Sequence, residues 1–181
     1  DITALHCHLV QEWGWKTLHA PVLWQWVHNK VDKQYFRATL EHIARRAGTQ
    51  SYDLEPLNES ATQQKEALGG TVMGGNLAIL QAGCGCYWQM QPKDTFILIE
   101  EVDEAPYRVD RMLTQLNDAT HLNQAKAILL GDFTLRKESQ AQDMHKTLQR
   151  FAQSLQVPVY RIKNIGHERD NKPILFNVRS E

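Results

Sequence analysis

TFILIE, residues 95–100, predicts a β-strand that ends in a carboxylate, Glu100. A helix is expected to start at Pro106, because proline is pre-set for the first helical position, where its missing N–H is not needed. Residues 127–130, Ala-Ile-Leu-Leu, predict a second strand, which Gly131-Asp132 stops. Strands that alternate with helices in this way indicate an α/β domain of layered strands and helices.

The same alternation continues on both sides of these elements. Upstream, the glycine-rich residues 69–76 lead into a short helix predicted from Leu77 to about Ala82. Downstream, a helix is followed by a strand over residues 157–162, and residues 173–178 could add an antiparallel edge. The helix before that strand is predicted to bury Met144, Leu148, Phe151, Ala152 and Leu155.

The first third of the chain is organised differently. Apolar residues recur at helical spacing from Ile2 to Trp13, where Gly14 stops the helix, and residues 17–23 predict a short strand and loop. A second helix, capped by Asp32, precedes a polar segment, so we place a domain boundary near Gly48, between residues 1–48 and 49–181. The apolar face of that second helix consists of Phe36, Leu40, Ile43, Ala44 and Ala47.

Composition excludes several classes of function. The net charge is −1, and the 20 Lys and Arg residues form no basic run, which argues against binding to nucleic acid or to an anionic membrane surface. No apolar stretch is long enough to cross a bilayer, and the first residues do not resemble a signal peptide. Three cysteines, an odd number, argue against a disulfide framework and suit a reducing compartment, so a cytoplasmic location is expected.

Metal and nucleotide sites are weaker interpretations. Cys84-Gly85-Cys86 and His6-Cys7-His8 offer the donors that zinc prefers, but their spacing fits no zinc ribbon or finger. The glycines of residues 69–75 could cradle a phosphate, yet no Walker lysine follows them and no G-x-G-x-x-G spacing is present. We therefore predict no metal and no cofactor.

Four motifs, in order, make the pattern specific. They are Gly74-Gly75-Asn76-Leu77, residues 98–102 with residues 106–113, Leu130-Gly131-Asp132-Phe133 and Gly166-His167-Glu168. Together they resemble the LD-carboxypeptidase family of serine peptidases, which includes muramoyltetrapeptide carboxypeptidases and the related microcin C immunity peptidases. The resemblance runs from Asp1 to about Pro173.

The resemblance implies a nucleophile outside these residues. In the family the serine lies in a Gly-aromatic-Ser-Asp-Ile/Phe-Thr elbow, and Asp1-Ile2-Thr3 resembles the residues directly after it. Residues 1–48 would then be the remnant of an N-terminal flavodoxin-like domain, followed by a swivelling-type α/β domain. Residues 17–21 resemble the family's His-Gly-Pro or Ser-Gly-Pro element, with Ala20 in place of glycine.

The resemblance also assigns the catalytic groups. His167 would be the base that activates the serine, and Glu100 the carboxylate that fixes the imidazole tautomer. From local sequence alone Glu101, Asp103 and Glu104 compete for that role, and the order within the family motif favours Glu100. Asp1 would supply an oxyanion donor, and Gly75 and Asn76 would line the cleft. None of the five serines is flanked by the small residues of a nucleophile elbow, so the 181 residues alone are expected to be inactive.

The function implied by the family is release of the terminal D-alanine from cell-wall tetrapeptides. The expected partners are a murein tetrapeptide, a second copy of the chain in a homodimer, and the missing N-terminal segment. Two alternatives stay open, which are a microcin C immunity-type peptidase and a non-catalytic binding module with the same fold. Residues 172–177 depart from the family's Leu-Pro-x-Gly, which affects the edge of the substrate pocket.

Overall fold

The structure is a computed structural model that describes residues 1–44 and 51–180. Within these residues the α-helices are α1 (Ile2–Trp13), α2 (Leu23–Val27), α3 (Lys33–Ile43), α4 (Glu59–Gln63), α5 (Leu77–Ala82), α6 (Pro106–Thr120) and α7 (Ala141–Ser154). The strands are β1 (Thr17–His19), β2 (Leu54–Pro56), β3 (Gly70–Asn76), β4 (Thr95–Val102), β5 (Ala127–Thr134), β6 (Val159–Ile162), β7 (Ile174–Phe176) and β8 (Arg179–Ser180). Short 3₁₀ turns cover Leu122–Gln124 and Glu138–Gln140.

A six-stranded sheet in the order β2-β6-β5-β4-β3-β8 organises the molecule. The four central strands are parallel, and the two edge strands are antiparallel to their neighbours. Strands covered on both faces are almost continuously apolar, and residues 96–101 of β4 are all buried. The predicted α/β class is confirmed.

The two faces of the sheet pack differently because successive residues of a strand point to opposite sides. Ile97 and Ile99 of β4 face a core formed with α1, α5, α6 and α7. Phe96 and Leu98 face a second core, which is closed by Ile165 and by Phe176 of β7. The sheet is therefore covered by helices on one face and by residues of the segment 163–176 on the other.

Some segments differ from the sequence-based expectations. Residues 70–76 are themselves a strand, and the segment predicted over residues 17–23 divides into β1 and the start of α2. The predicted antiparallel edge over residues 173–178 contains β7, but β7 pairs with β1 in a separate two-stranded sheet. This pairing joins residues about 160 positions apart, which local sequence patterns cannot specify.

Helix α3, which corresponds to the predicted second helix, ends at Ile43 and is capped by Ala44. Ala47, Gly48 and the predicted domain boundary near Gly48 lie outside the described residues. The two-domain division stays a prediction. No helix among the described residues is both long and apolar enough to span a membrane.

Candidate active site

Glu100 lies near the carboxyl end of β4, where the ends of the parallel strands meet at one edge of the sheet. The β4–β5 register shifts between Ile99 and Glu101, and such a bulge re-aims the side chains beside it. Gly131 of β5 allows a close approach here, since a Cβ atom on it would lie 2.5 Å from the Ile165 carbonyl oxygen and 3.0 Å from the Glu100 Cβ. The backbone thus brings the loop after β6 against the Glu100 side chain.

That loop carries His167, whose Nδ1 lies 2.7 Å from Oε2 of Glu100. A carboxylate only accepts hydrogen bonds, so Nδ1 carries the proton and the neutral imidazole keeps its lone pair on Nε2. The Glu100 side chain is 1% exposed and that of His167 is 40% exposed. The expected approach of these two side chains is present, and the structure adds that the carboxylate is buried while the imidazole is open to solvent. Their catalytic roles stay predictions.

Mutual stabilisation shifts both pKa values. Burial raises the pKa of Glu100, but the hydrogen bond from His167 and the electrostatic attraction of the His167 and His19 rings outweigh burial and lower it. The pKa of His167 is raised, chiefly by its hydrogen bond to Glu100 and further by the charges of Glu100, Glu101 and Asp103, against the opposing effect of burial. The pair is therefore built to hold an anionic carboxylate and to stabilise an imidazolium.

A second histidine faces the other oxygen of the same carboxylate. His19 of β1 has its Nε2 3.8 Å from Oε1 of Glu100. In the sequence, His19 belongs to the element of residues 17–21 and has no predicted role. The sequence signal for His19 is the His-Ala-Pro element of residues 19–21. The distance of His19 from Glu100, however, depends on the pairing of β1 with β7.

Glu101 has a different task from that of Glu100. Its carboxylate accepts hydrogen bonds of 2.8 Å from the backbone N–H groups of Ala78 and Val102 and from the side-chain amide of Asn76. Two of these donors lie at the start of α5, where backbone N–H groups have no partner within the helix. Glu101 therefore joins β4 to the β3–α5 turn, and the Asn76 side chain is directed to Glu101.

The first turn of α1 packs against this turn. The Asp1 side chain caps α1 by accepting from the Thr3 N–H at 2.9 Å, and the Asn76 N–H donates to the Thr3 hydroxyl at 3.1 Å. A Cβ atom on Gly75 would lie 2.6 Å from that hydroxyl. Asn76 is paired with Glu100 across the β3–β4 ladder, so the start of α1 packs against the residue beside Glu100 in the sheet. The cleft and oxyanion roles of Asp1, Gly75 and Asn76 stay predictions.

Other features do not contribute to this pair. Among the described residues, no group of three or more His, Cys, Asp or Glu side chains is arranged to hold a metal ion. All three cysteines are free, and Cys7 is buried. A surface depression of about 610 Å³ is lined by residues that include Pro106 and Tyr107 of α6 and Asp143 and Lys146 of α7, and so lies away from Glu100 and His167.

Comparison with known proteins gives the arrangement a context. The sequence pattern of the family described as "LD-carboxypeptidase C-terminal domain" matches residues 69–181, which include both members of the pair. The chain is similar to a protein named "Putative carboxypeptidase" in Rickettsia conorii, with 36% identity over 185 residues, covering 100% of the chain and 56% of the relative. It is also similar to the murein tetrapeptide carboxypeptidase of Pseudomonas aeruginosa, with 32% identity over 111 residues, 60% of the chain and 36% of the relative.

A solved structure shares the fold. The muramoyltetrapeptide carboxypeptidase of Oxalobacter formigenes superimposes with a TM-score of 0.76 at 23% identity, covering 99% of the chain and 61% of that protein. The chain spans 56% of the length of the Rickettsia conorii relative.

Proposed function

The chain belongs to the LD-carboxypeptidase family, and from that premise we propose that it carries the histidine and glutamate of a Ser-Glu-His triad. The single observation behind this proposal is the 2.7 Å contact between His167 Nδ1 and Glu100 Oε2 within the matched domain. Carboxypeptidase activity of the family supplies the reaction, which is hydrolysis of a C-terminal peptide bond. The serine is expected directly before Asp1 in the native gene product, as the resemblance of Asp1-Ile2-Thr3 implies.

The proposed roles follow from the geometry. His167 Nε2 is the acceptor for the serine proton, and it later returns that proton to the leaving amine. Glu100 keeps the other ring nitrogen protonated and stabilises the imidazolium that forms at each proton transfer. The backbone N–H of residue 1, once it is an amide inside a longer chain, would donate to the developing oxyanion.

The proposed substrate is a murein tetrapeptide with a terminal D-alanine. The support is the similarity to proteins named as murein tetrapeptide and muramoyltetrapeptide carboxypeptidases. Homodimer formation and a cytoplasmic location accompany this proposal as predictions. A microcin C immunity-type peptidase is the alternative substrate class, and a non-catalytic module is the alternative of another kind.

One assay separates these possibilities. The full-length gene product and the isolated 181 residues are each incubated with three compounds, and release of the terminal group is measured. The compounds are a tetrapeptide ending in D-alanine, a matched peptide ending in L-alanine, and aspartyl sulfamoyl adenosine, which is the ligand in a solved structure of the microcin C7 self immunity protein, a protein of similar fold. We expect the full-length protein to release D-alanine only, and the isolated residues to be slower by on the order of a million-fold. Cleavage of the sulfamoyl adenosine alone would favour the microcin-type alternative, and no cleavage at all would favour a binding module.

A further inference from the structure

The Glu100 carboxylate has two oxygens to satisfy in a place without solvent. Oε2 accepts from His167, and the side chain as a whole is 1% exposed. A buried carboxylate oxygen without a partner is costly, because the desolvation of a charged group is not repaid. The group that faces Oε1 is the ring of His19, with Nε2 at 3.8 Å.

Strand pairing and aromatic packing hold the His19 ring in place. His19 lies opposite Ile174 in the antiparallel pair of β1 and β7, and its ring centroid is 5.8 Å from that of Phe176. The ring of His6 packs on the same Phe176 and is 6.4 Å from the ring of His19. The His19 side chain is only 12% exposed, so it has little freedom to turn away from the carboxylate.

The surroundings also select the tautomer of His19. Its Nδ1 is buried and has no hydrogen-bond partner among the described residues, whereas its Nε2 faces Glu100. A proton on Nδ1 would bury an unpaired donor and turn a lone pair toward an anion. The neutral ring therefore carries its proton on Nε2, where the N–H dipole points at Oε1.

We infer that His19 is a positioning residue for the reaction, which holds Oε1 of Glu100 so that Oε2 stays aligned with His167. The 3.8 Å separation is longer than a hydrogen bond, so His19 acts on Oε1 through the electrostatic attraction of its N–H. Glu100 is then held between a buried histidine at Oε1 and an exposed histidine at Oε2. This inference rests on the proposed function for its catalytic consequence, but not for the clamp itself.

Two substitutions at one site separate clamping from packing. His19→Phe keeps an aromatic ring against Phe176 but removes the N–H, while His19→Gln gives up the ring but can place an amide N–H where Nε2 was. In the full-length protein we expect His19→Phe to lower kcat about tenfold with KM nearly unchanged, and His19→Gln to retain most of kcat. If His19→Phe does not fold, His19→Asn replaces it, since its amide nitrogen overlays Nδ1 and cannot reach Oε1.

A second readout is independent of activity. In protein labelled with ¹⁵N-histidine, the Nδ1 proton of His167 that bonds to Glu100 should give a downfield resonance, which broadens in His19→Phe and persists in His19→Gln. The inference is overturned if the Phe variant keeps both kcat and the resonance, or if the Gln variant is the one that loses them. A wild-type protein without peptidase activity would contradict the proposed function, and the resonance would still decide the role of His19.

Discussion

Nδ1 of His167 lies 2.7 Å from Oε2 of Glu100, and this contact joins a half-exposed imidazole to a carboxylate that is sealed from solvent. The hydrogen bond and the charge of Glu100 raise the pKa of His167 above 6.5. A base acts in its neutral form, so kcat/KM of the full-length enzyme should fall as the pH drops through the raised pKa of His167.

Glu100→Gln removes the main cause of that shift. In the pH–rate profile of this variant, the fall of kcat/KM at low pH should move to lower pH, because the pKa of His167 falls without the carboxylate. The plateau of kcat/KM should also decrease. A pH–rate profile measures both effects. Glu168→Gln removes a carboxylate from an exposed neighbour of His167 that is not among the main causes of the raised pKa, and it serves as the control. An acid limb that stays in place in Glu100→Gln would show that the observed titration belongs to another group.

Gly131→Ala should disturb the site through its backbone. The added Cβ would meet the Ile165 carbonyl oxygen at 2.5 Å and Glu100 at 3.0 Å, so β5 and the loop before His167 must separate. Overpacking of this kind costs about 1–3 kcal/mol of unfolding free energy, which urea denaturation measures. Gly69→Ala is the matched control, since its Cβ would meet only the flexible Arg179 side chain at 3.4 Å. Equal stability of the two variants would mean that the close approach at Gly131 is not required.

His6 should make the fold sensitive to acid. Burial lowers the pKa of His6 to about 4, with a smaller contribution from the charge of His19, whereas the unfolded chain titrates near the ordinary value of 6.5. The unfolded state thus takes up a proton first, and the stability contribution that is present above pH 6.5 is lost as the pH falls toward 4. By linkage, the loss from this one group between pH 7 and pH 4.5 is about 2 kcal/mol.

His6→Asn removes that titration while keeping a polar group near the Thr17 hydroxyl, which lies 2.8 Å from His6 Nδ1. Unfolding free energies at pH 7 and pH 4.5 should differ less in this variant than in the wild type. His145→Asn, on the exposed side of α7, should leave the difference unchanged. The same pH dependence in His6→Asn and the wild type would refute this account of His6.

Much of the fold follows from local patterns. The strand that ends at Glu100, the helix from Pro106 and the helix over residues 141–154 all carry a continuous or periodic apolar signal, and each is present. The strand over the glycine-rich residues 70–76 is not predictable from local sequence, because glycine disfavours strands in general. In β3, Gly75 packs so closely against Thr3 that no side chain would fit at this position.

The site was predictable only where motif order indicated it. Glu100 and His167 are 67 positions apart, and their contact was expected from the family motifs and not from their local sequence. The approach of His19 to Glu100 is not predictable from local sequence, because it depends on the pairing of β1 with β7 and on a bulge in β4. Nonlocal pairing and a one-residue irregularity leave almost no trace in a single sequence.

We propose that Glu100, and not Glu101, which is also buried, supports the base. The most direct test is kcat for D-alanine release by the full-length protein carrying Glu100→Gln or Glu101→Gln. A triad carboxylate replaced by its amide typically costs on the order of 10⁴ in kcat, so we predict that loss for Glu100→Gln. Glu101→Gln, which weakens hydrogen bonds to the β3–α5 turn, should stay within about tenfold of the wild type. A larger loss for Glu101→Gln than for Glu100→Gln would contradict the account.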